Sequence, residues 1–395
     1  MSLQTILFFS SFIFYVSSYN IGQLFSNTEF NTANFVLSMG YPFESYEVET
    51  PDNYLITLHR IPYGRRRKSS IKRTPVLLMH VLLGTSENYM TTGEKSLAFM
   101  AADAGYDVWL PNARGSMHSR KHRHLDADRD KSFWDFTWHE IGVYDLPTSI
   151  DFVLNKTGYQ KLHYLGHSQG ATSFLVMASV KPEYKEKINV FVGLAPAVFF
   201  DHFRHPLLNS SLLSQNLIYE LFKIINQYEM MIDNAGIRFM GTALATIAPK
   251  LFAFFLNMIV GDSDLMCMEC LPILAATEPA GSSLGQIKHF SQAYQLKSFR
   301  QFDYGPNENM ILYNSTLPPL YDLENMKVAT YIFSSKTDLF ASIDDVKKLV
   351  SILPNVVEFN IVPAEKFTHV DYIIANDLDI LVFNKVLEIF KKYSS

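Results

Sequence analysis

Lys161-Leu162-His163-Tyr164-Leu165-Gly166-His167-Ser168-Gln169-Gly170-Ala171 is the stretch on which the reading of the whole chain turns. Its first five residues form a short, mostly apolar run suited to a buried strand. Gly166 to Gly170 has the form Gly-x-Ser-x-Gly, and Ala171 to Val180 is apolar and helix-compatible. Together they read as a nucleophile elbow, a sharp turn that ends a strand and opens a helix. Such a turn forces serine into a strained backbone. The two flanking glycines follow from this, because a Cβ at either place would strike the neighbouring strand or helix. The gain is a hydroxyl held clear of a sheet, above the positive end of a helix.

Working outward, strand-like runs alternate with helical stretches. Val76–Met79, Tyr106–Leu110, the run before Ser168, Val190–Leu194, Ala329–Phe333 and Val357–Ile361 read as strands. This rhythm predicts an α/β fold with a mostly parallel sheet covered on both faces. From 200 to 309 the alternation stops, and a stretch rich in Phe, Met, Leu and Ile reads as several helices. We expect a cap there, inserted into a core made of 19–199 and 310–395.

The chain has 395 residues, 48% of them hydrophobic, with a net charge of −5. That suffices for one large domain with an insertion. The charge balance argues against a nucleic-acid partner. The basic cluster from Arg65 to Lys68, with Lys72 and Arg73 behind it, reads as a solvated loop. Ile6 to Val16 is apolar and Val16-Ser17-Ser18 offers small residues, so 1–18 is expected to be a signal peptide. Secretion or lysosomal delivery follows, and acceptor sequons at Asn155, Asn209 and Asn314 agree with it. A second apolar run, Leu244 to Val260, is interrupted by Pro249, Lys250 and Asn257. It reads as a buried or lipid-facing helix, and we expect no stable transmembrane anchor. The two cysteines, Cys267 and Cys270, supply too few ligands for a metal, and an oxidising compartment permits a bridge between them.

A serine hydroxyl needs a base to take its proton and an acid to orient that base. After an elbow of this kind the chain order is Ser, then Asp or Glu, then His, each on a loop after a strand. His369 is the only histidine beyond His289, and it follows the run ending at Ile361. Asp338 follows the run ending at Phe333. Asp344 and Asp345 compete with it, but Ser342-Ile343-Asp344-Asp345 resembles a capping box for a helix over Val346–Leu353. We therefore assign Ser168 as nucleophile, Asp338 as acid and His369 as general base. Ester cleavage also places negative charge on the carbonyl oxygen, which needs backbone N–H donors. Gln169 and Leu82, the latter in the loop His80-Val81-Leu82-Leu83-Gly84, are the expected oxyanion donors. This chemistry requires no metal and no organic cofactor.

Several further motifs are specific. Gly40-Tyr41-Pro42, the run Asp103–Leu110 with Asn112, Arg114-Gly115 and Ser119–His122, then Phe133-Trp134, Tyr144–Pro147, Pro279–Ser283 and Phe302–Gly305 together resemble the animal acid lipase family, which includes gastric and lysosomal acid lipases and secreted insect lipases. The resemblance covers nearly the whole mature chain. It implies the α/β-hydrolase fold, the same triad, a cap over a deep acyl pocket and a lid that opens at lipid–water interfaces. Neutral lipids are the implied substrates, and no protein partner is implied. The chain departs from the family at Val81, where the family carries Gly, at Asn53 in a turn, and in the close spacing of its two cysteines. A valine at a position needing φ > 0 or close substrate approach is costly. A catalytically impaired lipid-binding protein is therefore the second reading. A peptidase or thioesterase on the same fold is a third, since fold alone does not set the substrate.

Overall fold

The computed structural model describes residues 30–65, 72–203, 205, 219, 228–230 and 235–394. The signal peptide and Asn209 lie outside the described residues, as does most of the basic cluster.

The strands, in chain order, are β1 (Glu44–Glu49), β2 (Tyr54–Ile61), β3 (Pro75–Met79), β4 (Asp107–Pro111), β5 (Lys121–His122), β6 (Leu162–His167), β7 (Ile188–Leu194), β8 (Glu229–Met230), β9 (Ser282–Ser283), β10 (Thr330–Ser334) and β11 (Val356–Ile361). Nine of them form one sheet in the order β1-β2-β4-β3-β6-β7-β10-β11, with β5 on β2. From β4 to β11 every pairing is parallel, whereas β1, β2 and β5 are antiparallel. β3, β4, β6 and β10 are buried throughout, as parallel strands sandwiched between helices must be. β1 instead alternates half-buried and exposed residues, because it lies at the sheet's edge with one face toward water.

The helices are α1 (Thr32–Ser38), α2 (Leu97–Ala104), α3 (Leu146–Thr157), α4 (Gln169–Val180), α5 (Ala235–Ile247), α6 (Pro249–Val260), α7 (Leu271–Thr277), α8 (Leu284–Leu296), α9 (Pro306–Tyr313), α10 (Ile343–Ile352) and α11 (Asn384–Lys392). α4 is buried from Gln169 to Ala178. Its Phe174 stacks on Phe191 of β7, ring centroids 4.1 Å apart, and contacts Tyr164 of β6 at 4.6 Å. These rings pin the helix beneath the elbow to the strands on which the elbow stands.

The signature loop after β4 has a structural cause. Arg114 is fully buried, and its guanidinium bonds Asp145 at 2.7 and 2.8 Å and Asp52 at 2.5 and 2.9 Å. A buried cation needs such pairing, and here it joins three distant turns. Asn53 has φ +70°, so asparagine meets the left-handed turn in which the family uses glycine.

β7 and β10 are adjacent, yet the described residues between them add no strand to the large sheet. They carry α5 to α9 and the small β8–β9 ribbon. The apolar run around Pro249 is split into α5 and α6, bent by 119° at the break. No single helix among the described residues is long and apolar enough to cross a membrane. Met240, Phe254 and Met258 are 65%, 60% and 53% exposed on this pair. Cys267 and Cys270, whose pairing the sequence left open, are joined by a disulfide.

One local expectation is corrected. Ser342 precedes α10 but its side chain makes no capping bond. Asp345 turns away from the helix start. It accepts from the backbone N–H of Asp201 and of His202, each at 3.0 Å, and from His202 Nδ1 at 3.0 Å. Satisfying a loop at the start of the insertion outweighs a local cap, because those N–H groups would otherwise lack partners.

Candidate active site

Ser168 stands between β6 and α4 with φ +54° and ψ −116°. Few non-glycine residues hold a positive φ, and here the surrounding backbone enforces it. A Cβ on Gly166 would lie 2.4 Å from the Gly170 carbonyl carbon, and one on Gly170 would lie 2.3 Å from the Met79 carbonyl oxygen of β3. Both contacts are with backbone, so neither position admits a side chain without moving the helix or the strand.

Asp338 lies four residues beyond the end of β10, its carboxyl wholly shielded from solvent. Oδ1 accepts from the N–H of Phe340 at 2.8 Å and of Ala341 at 2.9 Å. Oδ2 sits 2.7 Å from His369 Nδ1. An ionised carboxylate only accepts, so Nδ1 carries the proton and Nε2 is left with its lone pair. The loop bearing His369 is itself anchored. Asp371 accepts from Thr368 N–H at 2.6 Å, from Thr368 Oγ1 at 2.8 Å and from Ser263 Oγ at 2.8 Å. Ser168 and His369 line one cavity of about 860 Å³. No hydrogen bond joins Ser168 Oγ to His369 Nε2 among the described residues; in unliganded hydrolases this contact commonly tightens only with substrate. The adjoining His167 is buried and stays neutral, because burial and the nearby His369 both disfavour its charged form.

Leu82 lies on the wall of the same cavity, and Gln169 opens α4 directly after Ser168. The loop holding Leu82 is clamped by His80, which sequence reading did not single out. His80 is buried. Its Nε2 accepts from Ala113 N–H at 3.0 Å, so Nδ1 is protonated and donates to the Val81 carbonyl at 2.7 Å. Burial lowers its pKa to about 4, which keeps this tautomer in place. Asn112 assists, accepting from Ser86 N–H at 2.9 Å. The signal was a histidine at the end of an apolar strand, where its ring must find backbone partners.

Val81 does not occupy a left-handed position. The positive φ of this loop falls on Leu83, at +63°. The backbone strain expected of valine is therefore absent, and its side chain instead faces the cavity. The remaining cavity wall is mostly apolar, with Phe200, Phe255, Leu256, Leu274 and Ile373 among its residues, together with Glu278.

Among the described residues, His59, Glu87 and His118 form the group whose ligand atoms come close enough to hold a cation, all within 4.8 Å. They satisfy one another and their neighbours: His118 Nε2 lies 2.9 Å from Glu87, and Ser86 Oγ bridges His59 Nδ1 at 2.8 Å to Glu87 at 2.9 Å. Asn155 and Asn314 are exposed, on α3 and at the end of α9.

Residues 32–93 match the partial alpha/beta-hydrolase lipase region, and residues 74–227 match the alpha/beta hydrolase fold. The chain is 39% identical to Lipase 3 of Drosophila melanogaster over 90% of this chain and 91% of that protein. It is 35% identical to the lysosomal acid lipase/cholesteryl ester hydrolase of Homo sapiens, over 93% and 92%. It is 33% identical to the gastric triacylglycerol lipase of Bos taurus, over 93% and 94%. A soluble variant of the Saccharomyces cerevisiae monoglyceride lipase shares the fold, with a TM-score of 0.53, 15% identity and coverage of 90% and 99%. With a strained elbow serine, an Asp–His pair and relatives of this closeness along nearly its full length, the chain belongs to the acid lipase family of carboxylic ester hydrolases.

Proposed function

We propose that this lipase cleaves fatty-acyl esters of neutral lipids, such as triacylglycerols or cholesteryl esters, through an acyl-enzyme on Ser168. The observation that carries the reading is an apolar cavity whose wall holds both the elbow serine and the Asp338-bonded histidine. In acylation, Ser168 Oγ attacks the ester carbonyl while His369 Nε2 takes the hydroxyl proton. The resulting imidazolium is stabilised by Asp338, and the oxyanion by the N–H groups of Leu82 and Gln169. Collapse breaks the ester C–O bond, and His369 returns the proton to the departing alcohol. Water then repeats the sequence, and the fatty acid leaves.

Residues 200–309 act as the cap over this cavity. Ile237, Phe255 and Ile259 are both exposed and part of the cavity wall, so an apolar rim surrounds its opening. Such a rim suits contact with a lipid–water interface. Entry to the secretory pathway through the signal peptide, with glycans at Asn155, Asn209 and Asn314, fits a secreted or lysosomal enzyme. The absence of backbone strain at Val81 removes one motive for an impaired, purely lipid-binding protein, and the lipase relatives favour the hydrolase; the Val81 side chain at the cavity wall bears on substrate approach alone.

The test is a hydrolysis panel of triacylglycerols, cholesteryl esters and short-chain esters across pH, with fluorophosphonate labelling. We expect one labelled site, lost in Ser168→Ala together with turnover. Absence of labelling in the wild type overturns the proposal.

A further inference from the structure

The cavity is oily except at a few positions, and one of these has no partner. Glu278 follows α7, where its N–H bonds the Leu274 carbonyl at 2.8 Å. Two residues later, Ala280 N–H bonds the Leu83 carbonyl at 2.7 Å. Glu278 is thus held between the end of a helix and the expected oxyanion loop. Its side chain lines the cavity that contains Ser168, and its Oε1 is buried without a hydrogen-bond partner. A carboxyl oxygen left this way costs free energy unless a ligand satisfies it. Unsatisfied polar groups of this kind are rare and gather where a ligand completes them.

The charged groups around it are few. Glu87 acts on it electrostatically from the turn that follows the oxyanion loop, and disfavours a second negative charge. Arg238 and Lys288 line the same cavity, with Lys288 Nζ 4.1 Å over the Tyr219 ring. Burial, with Glu87 adding to it, pushes the Glu278 carboxyl up to about 8. Below that pH it is a neutral acid, able both to donate and to accept.

Resting on the ester-hydrolase reading above, we infer that the Glu278 carboxyl is a polar subsite of the substrate cavity that binds a free glycerol hydroxyl of a partial acylglycerol. A hydroxyl also donates and accepts, so it pairs with a neutral carboxyl in both senses. The tie of Ala280 to Leu83 sets the subsite on the side of the cavity that carries the expected oxyanion loop, where a glycerol hydroxyl only a few bonds from the ester can meet it. Triacylglycerols and cholesteryl esters carry no such hydroxyl.

The experiment uses the full-length enzyme and compares kcat/KM for a monoacylglycerol and the ethyl ester of the same fatty acid in matched micelles. An ethyl ester of a hydroxylated fatty acid serves as a third substrate. The wild type is expected to favour the monoacylglycerol by about tenfold, the effect of one buried hydrogen bond and its loss. Glu278→Leu is expected to bring that ratio near one, mainly through KM, and Glu278→Gln to retain most of it. A wild-type ratio near one overturns the subsite whether or not any variant folds. A preference for the hydroxylated acid over the monoacylglycerol also overturns it, because it places the hydroxyl on the acyl chain. No turnover of any ester by the wild type sinks the hydrolase reading itself, a different failure.

Melting gives a readout independent of activity. The folded carboxyl stays protonated up to about 8, while the unfolded one ionises near 4.5, so the wild type loses stability as pH rises through that window. Glu278→Gln has no such proton to lose. Its melting temperature should therefore gain on the wild type steadily from pH 4.5 to 8. A constant gap overturns the neutral, buried state on which the subsite depends.

Discussion

At the level of single residues, the proposed serine, acid and histidine could be chosen from the sequence because a rule of chain order confines each to one loop. His369 needed no structure to be chosen, since no later histidine competes. The choice of Asp338 over Asp344 and Asp345 rested on a capping argument. The structure keeps the choice for another reason: Asp345 faces Asp201 and His202, while Asp338 faces His369. Two backbone donors fix Asp338 so that it can fix the imidazole tautomer. Asp338→Asn should leave the ring in place with the wrong nitrogen protonated. We expect kcat to fall on the order of ten-thousandfold, with melting little changed, measured on a soluble short-chain ester. The clamping role of His80, and Glu278 altogether, could not be read from the sequence. Each depends on a contact between segments distant along the chain, Ala113 for the first and Leu83 with the cavity wall for the second.

Among the elements, the five inner parallel strands were readable because strands buried on both faces are mostly apolar runs, and β11 at the sheet's edge was readable from its alternating Val357-Glu358-Phe359-Asn360-Ile361. β1 and the β8–β9 ribbon were not. Edge strands such as β1 carry charged residues on the face turned to water, and the two-residue ribbon pairs segments far apart in sequence. The elbow joins both scales. Gly170 lets α4 approach β3 so closely that an added methyl would meet the Met79 carbonyl oxygen. Gly170→Ala must push helix and strand apart, and should cost about 3 kcal/mol. Chemical denaturation measures that loss. Fluorophosphonate labelling should fall in parallel, because the serine moves with the helix; a variant of wild-type stability and labelling rate would show that the contact relaxes freely.

Across the whole molecule, apolar side chains are exposed on the α5–α6 pair beside the cavity opening, which composition alone could not locate. The sequence marked the run and its interruption at Pro249, but the sharp bend belongs to the fold. If this pair meets lipid, a charge there should weaken contact with an interface while leaving the chemistry intact. Phe254→Asp is expected to lower activity on emulsified triacylglycerol roughly tenfold and on a dispersed short-chain ester less than twofold. Equal losses on both substrates would count against an interfacial role. A last consequence follows from the adjacency of β7 and β10. The chain leaves the sheet at one strand and rejoins it at the next, so among the described residues no strand of the ladder comes from in between. The long excursion is tied back to the core at Ser263, which bonds Asp371, and at Ala280, which bonds Leu83. If the excursion is the proposed cap, a graft from a relative that keeps those two ties should leave the strand ladder paired, and substrate preference becomes a trait that descendants can trim or rebuild without relaying the floor.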